Sequence, residues 1–211
     1  MNSKIKKFCI IDDSVEEAIR GASFLAKVKG MDPEVEEHFK NAIQKDPNNL
    51  EKICAYCFYF WFQVDEHLDV NDTNTLFKVS IHVVDTIDEL LYEHPEYWIL
   101  QVLKYRIRSF MNFEDEEQIK QIEYLIDIQN DGNYPSYFLV MDILLSFSYF
   151  NIGDYDKAYI TLKNIPSRYK GKITVLKEFF YQYIEEYKNI LIRSPEDRII
   201  KILDEISKGY F

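Results

Sequence analysis

The sequence predicts an all-α protein of about ten helices joined by short links. Three observations support this fold class. Apolar residues recur at helical spacing through almost the whole chain, capping residues and helix breakers punctuate them, and no apolar–polar alternation flanks a hairpin turn. With 211 residues, of which 47% are hydrophobic and 16% aromatic, the chain is long and apolar enough to bury a core.

The first two predicted helices carry clear start and stop signals. Ser14-Val-Glu-Glu17 fits a capping box, and an apolar stripe follows it as far as Gly30, a residue that readily ends a helix. Asp32-Pro33 then places a capping residue before a proline at the first helical position. Asp46-Pro47 ends this second helix.

The third predicted helix runs from about residue 50 to residue 63, and its centre is apolar on every side. This pattern is typical of a helix that neighbours bury from several directions. Cys54 and Cys57 lie within it, with no second cysteine pair and no paired histidines elsewhere in the sequence. We therefore expect the two cysteines to be apolar core residues rather than metal ligands or redox groups.

The later helices are predicted from apolar stripes between breakers. The fourth begins near residue 73 and ends before His94-Pro95. Residues 130–135 are the strongest breaker cluster in the chain, and the last helix opens at Ser194-Pro195 and closes at Gly209. Between these points, the predicted helices cover about residues 96–110, 114–128, 136–151, 154–165 and 173–192.

Residues 145–162 resemble the tetratricopeptide repeat. The residues that match its motif by type are Leu145, Tyr149, Gly153, Tyr155 and Ala158, with Ser146 at the small position. A glycine there permits a tight interhelix turn, and a small residue lets two helices approach closely. Two shorter matches, at residues 39–47 and 91–98, look like the ends of further repeats.

The resemblance implies antiparallel helix pairs stacked as an α-solenoid. We expect a single domain over residues 1–211, with a candidate internal boundary near residues 129–135; a compact ten-helix globule is the alternative topology. The resemblance also implies binding of a protein or peptide in a concave groove formed by the first helices of successive pairs. Ile143 and Phe147 stand where some family members carry the lysine and asparagine of a carboxylate clamp, so that clamp is not expected.

Charge is distributed unevenly along the chain, whose formal net charge is −11. Residues 32–156 carry eight basic and 25 acidic side chains, a net of −17, whereas residues 157–211 carry eleven basic and seven acidic ones, a net of +4. The acidic balance argues against binding to nucleic-acid phosphates and favours a basic protein partner, although a solvated surface that keeps the protein soluble explains it too.

The cysteine count and the short apolar runs bear on localisation. Three cysteines form no disulfide framework, which favours a reducing compartment. The apolar stretch near the N-terminus is too short for a signal peptide, and the longest apolar run is about half of the ~20 residues that a membrane span needs. We therefore expect a cytoplasmic protein that does not enter a membrane.

No motif in the sequence indicates catalysis, since a glycine-rich phosphate loop, a nucleophile elbow and a zinc-protease helix are all missing. We expect a non-enzymatic module, without cofactor or metal, that binds another protein or a peptide in a groove with an acidic rim. The alternative is an acidic immunity or inhibitor protein that neutralises a basic toxin or nuclease. The candidate partner contacts are Glu114, Asp115, Glu116, Glu117, Tyr137 and Tyr181.

Overall fold

The computed structural model describes residues 5–30, 32–67, 73–111, 116–192 and 196–211. Within these residues it contains ten α-helices, one short 3-10 turn at Ser136–Phe138 and no β-strand, which confirms the all-α class and the helix count. No helix of this part is long and apolar enough to cross a membrane. The helices are α1 (Asp13–Lys29), α2 (Pro33–Lys45), α3 (Leu50–His67), α4 (Thr73–Glu93), α5 (Trp98–Phe110), α6 (Glu116–Asn130), α7 (Leu139–Asn151), α8 (Tyr155–Arg168), α9 (Lys177–Leu191) and α10 (Asp197–Tyr210).

Side-chain caps fix the starts of the first helices. Asp12, rather than the predicted Ser14, is the N-cap of α1, and its carboxylate accepts hydrogen bonds from the amide of Val15 (3.0 Å) and the hydroxyl of Ser14 (2.7 Å). The capping-box prediction was wrong because the charged carboxylate is the stronger acceptor and draws the serine into its own cap. These hydrogen bonds lower the pKa of Asp12. The predicted cap Asp32 is confirmed at α2, and α3 is capped by Asn49, whose side-chain oxygen accepts from the amide of Lys52 (3.0 Å).

Two boundaries in the C-terminal part differ from the prediction. α8 continues past Pro166 to Arg168, because a proline in the last turn removes only one helical hydrogen bond. α9 was predicted to begin near residue 173 but begins at Lys177. The amide of Ile173 instead donates a hydrogen bond to the carbonyl of Tyr210 (2.8 Å), so this segment is tied to α10 and does not join the helix.

The contacts divide the chain into two compact units. Unit 1 comprises Ile11–Ile107, and unit 2 comprises Ile5–Ile10 together with Arg108–Phe211. The division falls near the end of α5. A single domain over residues 1–211, with a candidate boundary near residues 129–135, stays a prediction.

Unit 1 is organised around α3. Helices α1, α2 and α4 each pack against it, and every residue from 53 to 62 is buried, as the apolar pattern predicted. Phe39 fixes α2 to α3, with its ring centroid 5.3 Å from that of Tyr59. The hydroxyl of Tyr59 donates a hydrogen bond to the carbonyl of Gly30 (2.7 Å), so α3 also holds the link between α1 and α2.

In unit 2, Gly153 forms the turn between α7 and α8. Its φ of +83° lies in the left-handed region that glycine enters without strain. The amide of Gly153 bonds the carbonyl of Phe150 (3.0 Å), and the amide of Asp154 bonds the carbonyl of Tyr149 (2.9 Å), which makes a Schellman ending for α7. Asp154 then caps α8 by accepting from the amide of Lys157 (3.1 Å). One short segment thus ends one helix and starts the next.

We expect Gly153→Ala to lower the free energy of unfolding by about 1–2 kcal/mol. No atom lies within 4 Å of the position that a Cβ would take, so the cost arises from the backbone conformation alone. Urea denaturation of the full chain measures this loss. An unchanged denaturation midpoint would contradict the assignment of a left-handed residue to the turn.

Helices α7, α8 and α9 meet behind this turn. Ala158 is fully buried where α7 and α8 approach, and the hydroxyl of Ser146 donates to its carbonyl (2.9 Å). The hydroxyl of Tyr187 in α9 lies 3.1 Å from the same serine oxygen. The pairs α7–α8 and α9–α10 also contact each other through α7 with α9 and α8 with α10. Stacking of all pairs into a solenoid stays a prediction.

Candidate functional site

A groove of about 590 Å³ lies between α2 and α4 in unit 1. Ile43 from α2 and Leu90 from α4 face it, and Tyr56 from α3 lies between them. Because both walls are helices, each contributes residues at i, i+3, i+4 and i+7 spacing along the groove. The groove is therefore an open slot with an apolar floor along the length of two helix faces.

The groove lies between α2 and α4, whereas the sequence predicted one formed by the first helices of successive pairs. Helices α1 and α3 make extensive contact in unit 1, and Ala22 and Ala26 of α1 are buried. Small side chains allow close approach of two helices.

Two carboxylates line the α4 wall of this groove. Glu89 and Glu93 are exposed, lie one helical turn apart and make no ion pair with any residue that the structure describes. Across the groove, the ammonium of Lys40 is paired with Glu36. Because this pairing neutralises the lysine, the groove retains an excess of negative charge.

Tyr56 is the aromatic part of the floor. It is 6% exposed, and its ring packs edge-on against Phe60, with 5.0 Å between centroids. Burial, with a smaller contribution from the charge of Glu36, raises the pKa of Tyr56 to about 12. The phenol is therefore neutral under physiological conditions, and its ring is part of the core beneath the groove.

A second groove, of about 610 Å³, lies between α9 and α10 in unit 2. Tyr181, a predicted partner contact, lines it with 38% exposure, and its ring meets that of Phe211 (5.6 Å between centroids). Lys188 in this groove pairs with Glu185 (3.0 Å) and Asp204 (2.7 Å). These ion pairs neutralise the charges of Lys188, Glu185 and Asp204. This groove therefore favours a charged ligand less strongly than the groove between α2 and α4 does.

Unit 2 also contains a buried polar cluster. Asp142 is fully buried in α7, lies 2.7 Å from the guanidinium of Arg168 and accepts a hydrogen bond from the hydroxyl of Tyr169 (2.8 Å). The side chain of Gln129 donates to the same hydroxyl (2.9 Å). Burial raises the pKa of Asp142 to about 6, against the opposing effect of Arg168. Because these contacts join α6, α7 and the end of α8, we interpret the cluster as a structural clamp between helices.

The predicted repeat-motif residues occupy structural positions in unit 2. Gly153 is at the interhelix turn, and Tyr155 beside it is 39% exposed. The buried members of the motif are Leu145, Tyr149 and Ala158. The hydroxyl of Tyr149 donates to the carboxylate of Glu123 in α6, which adds a further helix to the α7–α8 pair.

The structure separates the predicted partner contacts. Glu114 and Asp115 lie outside the described residues, whereas Glu116 and Glu117 are exposed in the first turn of α6. Tyr137 is 3% exposed and packs against neighbouring phenylalanine rings, so it is a core residue and is not available at the surface. Neither Glu116 nor Glu117 lines the groove that contains Tyr181. Sequence reasoning missed Glu89 and Glu93, although their i, i+4 spacing on the outer face of α4 was a readable signal.

The two cysteine thiols of unit 1 lie in its core. Cys54 and Cys57 are buried, and burial raises the pKa of the Cys57 thiol to about 12, which suppresses its reactivity. Within the part of the chain that the structure describes, no group of three or more histidines, cysteines and carboxylates is placed to hold a metal ion. Comparison of the chain with protein-family models, with curated proteins and with solved structures finds no significant match.

Proposed function

We propose that this protein is a non-enzymatic binding module that holds a basic segment of another protein in the groove between α2 and α4. The observation that carries the proposal is the pair of exposed carboxylates, Glu89 and Glu93, beside an apolar floor. Apolar side chains of the partner would cover Ile43 and Leu90, which line the groove and are half-buried. Lysine or arginine side chains one helical turn apart would reach the two glutamates.

The charge of the chain supports a basic partner. The net charge of −17 over residues 32–156 accelerates the approach of a basic surface, and this acceleration weakens as salt is added. The apolar floor adds affinity that salt does not screen. We therefore expect the association rate to fall markedly with added salt. A measurable part of the affinity should persist at high salt.

Reversing the charge of the α4 wall tests the proposal. We expect Glu89→Lys/Glu93→Lys to weaken binding of a helical lysine–leucine peptide by about tenfold or more, because it replaces attraction with repulsion at the rim. Titration of a fluorescently labelled peptide measures the change, and a glutamate–leucine peptide of the same pattern serves as the ligand control.

The matched protein control reverses the same number of charges in unit 2. Glu116→Lys/Glu117→Lys keeps the net charge of the first variant but leaves the groove intact. If both variants lost the same affinity for the peptide, net charge alone would explain the binding. That result would contradict a site in the groove. A larger loss of affinity for Glu116→Lys/Glu117→Lys would indicate that the peptide binds at the acidic residues near the start of α6, which the sequence predicted as partner contacts.

An acidic immunity or inhibitor protein is the second candidate, and the same −17 favours it. Such a protein covers a broad basic surface, so its binding should depend on carboxylates well outside the groove. The reversal of Glu89 and Glu93 alone would then have a small effect. A genetically adjacent partner that is toxic by itself would support this second candidate.

A further inference from the structure

The outer face of α1 exposes large apolar side chains. Phe24 is 66% exposed and Val28 is 60% exposed, and their i, i+4 spacing places both on one side of the helix. Gly21 lies one turn before Phe24 on the same side and is exposed as well. The face therefore presents a projecting ring beside a position that has no side chain.

No neighbour among the residues that the structure describes explains the glycine at position 21. A glycine inside a helix destabilises it relative to alanine, and a Cβ at this position would meet no atom within 4 Å. Its backbone does not adopt a positive φ either. What glycine provides here is room for another group to approach the helix closely.

We propose that this face is a self-association site, where the α1 helices of two copies pack antiparallel about a two-fold axis. In that arrangement, Phe24 of each copy lies over Gly21 of the other, so that a single patch is complementary to itself. Arg20, which is held by Glu16 (2.8 Å), borders the notch and flanks the incoming ring. This inference is independent of the proposed peptide groove.

Charge along α1 favours the antiparallel direction. The first turn carries Asp13 and Glu16, and the last turn carries Lys27 and Lys29. An antiparallel pair places the acidic end of each helix beside the basic end of the other, whereas a parallel pair would bring like charges together. Because each copy contributes one helix face, the interface is small, and we expect a weak, reversible dimer with a dissociation constant of roughly 10 µM to 1 mM.

Sedimentation equilibrium of the full chain over this concentration range tests the proposal. We expect Phe24→Glu to raise the dissociation constant about tenfold or more. Ile160→Glu is the matched control, because Ile160 is an apolar residue that is 53% exposed on a different helix, α8 in unit 2, and its replacement should leave the constant unchanged. A chain that stays monomeric throughout, or equal effects of the two variants, would overturn the proposal.

Gly21→Ala provides a second, independent readout. Alanine should raise the urea midpoint of the folded chain, because it strengthens the helix and meets no neighbour. The same methyl group fills the notch, so the dimer should weaken about fivefold or more. Opposite changes in folding and association support the interface, and a dimer that tightens or stays unchanged would overturn it.

A charge exchange tests the direction of packing. We expect two double variants of α1 to be monomeric when each is measured by itself, because like charges then meet at both ends of the helix pair. The variants are Asp13→Lys/Glu16→Lys and Lys27→Glu/Lys29→Glu. Mixing the two variants should restore a heterodimer, since complementary ends face each other again. A mixture that remains monomeric, while the wild type dimerises, would overturn the antiparallel arrangement.

Discussion

Replacing Arg168 with methionine is expected to lower the free energy of unfolding at pH 8 by about 3–5 kcal/mol. The carboxylate of Asp142 has no exposure, and the guanidinium of Arg168, 2.7 Å away, offsets its charge. Methionine retains much of the side-chain volume and removes the positive charge. The carboxylate of Asp142 then stays buried without a positive partner, or it takes up a proton at a pH where a carboxyl group is normally ionised. Either outcome costs free energy. Chemical denaturation of the full chain measures the loss.

The loss should be much smaller at pH 5. Burial raises the pKa of Asp142 from its ordinary value of 3.8 to about 6. A raised pKa means that the native state binds this proton more tightly than the unfolded chain does. The resulting stabilisation is therefore complete below about pH 4 and is lost as the pH rises through about 6. At pH 5 the carboxyl group is mostly protonated and has little need of the guanidinium.

Two further variants separate the buried charge from simple loss of contacts. Asp142→Asn in the Arg168→Met background removes the uncompensated carboxylate, so it should recover stability at pH 8 and flatten the pH dependence. Arg198→Met serves as a surface control, because Arg198 pairs with the exposed Asp156 (2.7 Å) and should matter far less. Equal losses for Arg168→Met at pH 5 and pH 8 would contradict a role for the charge.

Much of the fold could be predicted because its signals are local. The apolar centre of α3 indicated burial on all sides, and residues 53–62 are buried as expected. Gly153 indicated a tight turn between two helices, and α7 ends and α8 begins on either side of it. Such signals depend on residues within one turn of each other, and helical spacing expresses them directly.

The candidate site could not be predicted, because it depends on which helices meet. The groove lies between α2 and α4, which both pack against α3, and helical periodicity does not encode which helices meet in this way. The buried cluster likewise joins Asp142 to Tyr169, which is 27 residues away. The one local hint was an aspartate within the apolar run of α7, which is typical of a buried and paired charge.

Tyr187→Ala is expected to lower the free energy of unfolding by about 3–5 kcal/mol, because it removes a fully buried aromatic ring. The ring fills the seam where α9 meets α7, with its centroid 4.8 Å from that of Phe147. Its hydroxyl donates to the carbonyl of Ser146 (3.2 Å), across 41 residues of sequence. Urea denaturation of the full chain measures the loss.

Tyr187→Phe separates the ring from the hydroxyl in this seam. The ring stays in place, and the hydroxyl of Ser146 keeps its hydrogen bond to the carbonyl of Ala158 (2.9 Å), so no buried donor is stranded. We therefore expect a loss of only about 0.5–1.5 kcal/mol. If Tyr187→Phe cost as much as Tyr187→Ala, hydrogen bonding rather than ring packing would hold α9 against the α7–α8 pair, and interdigitated apolar faces would not explain this seam.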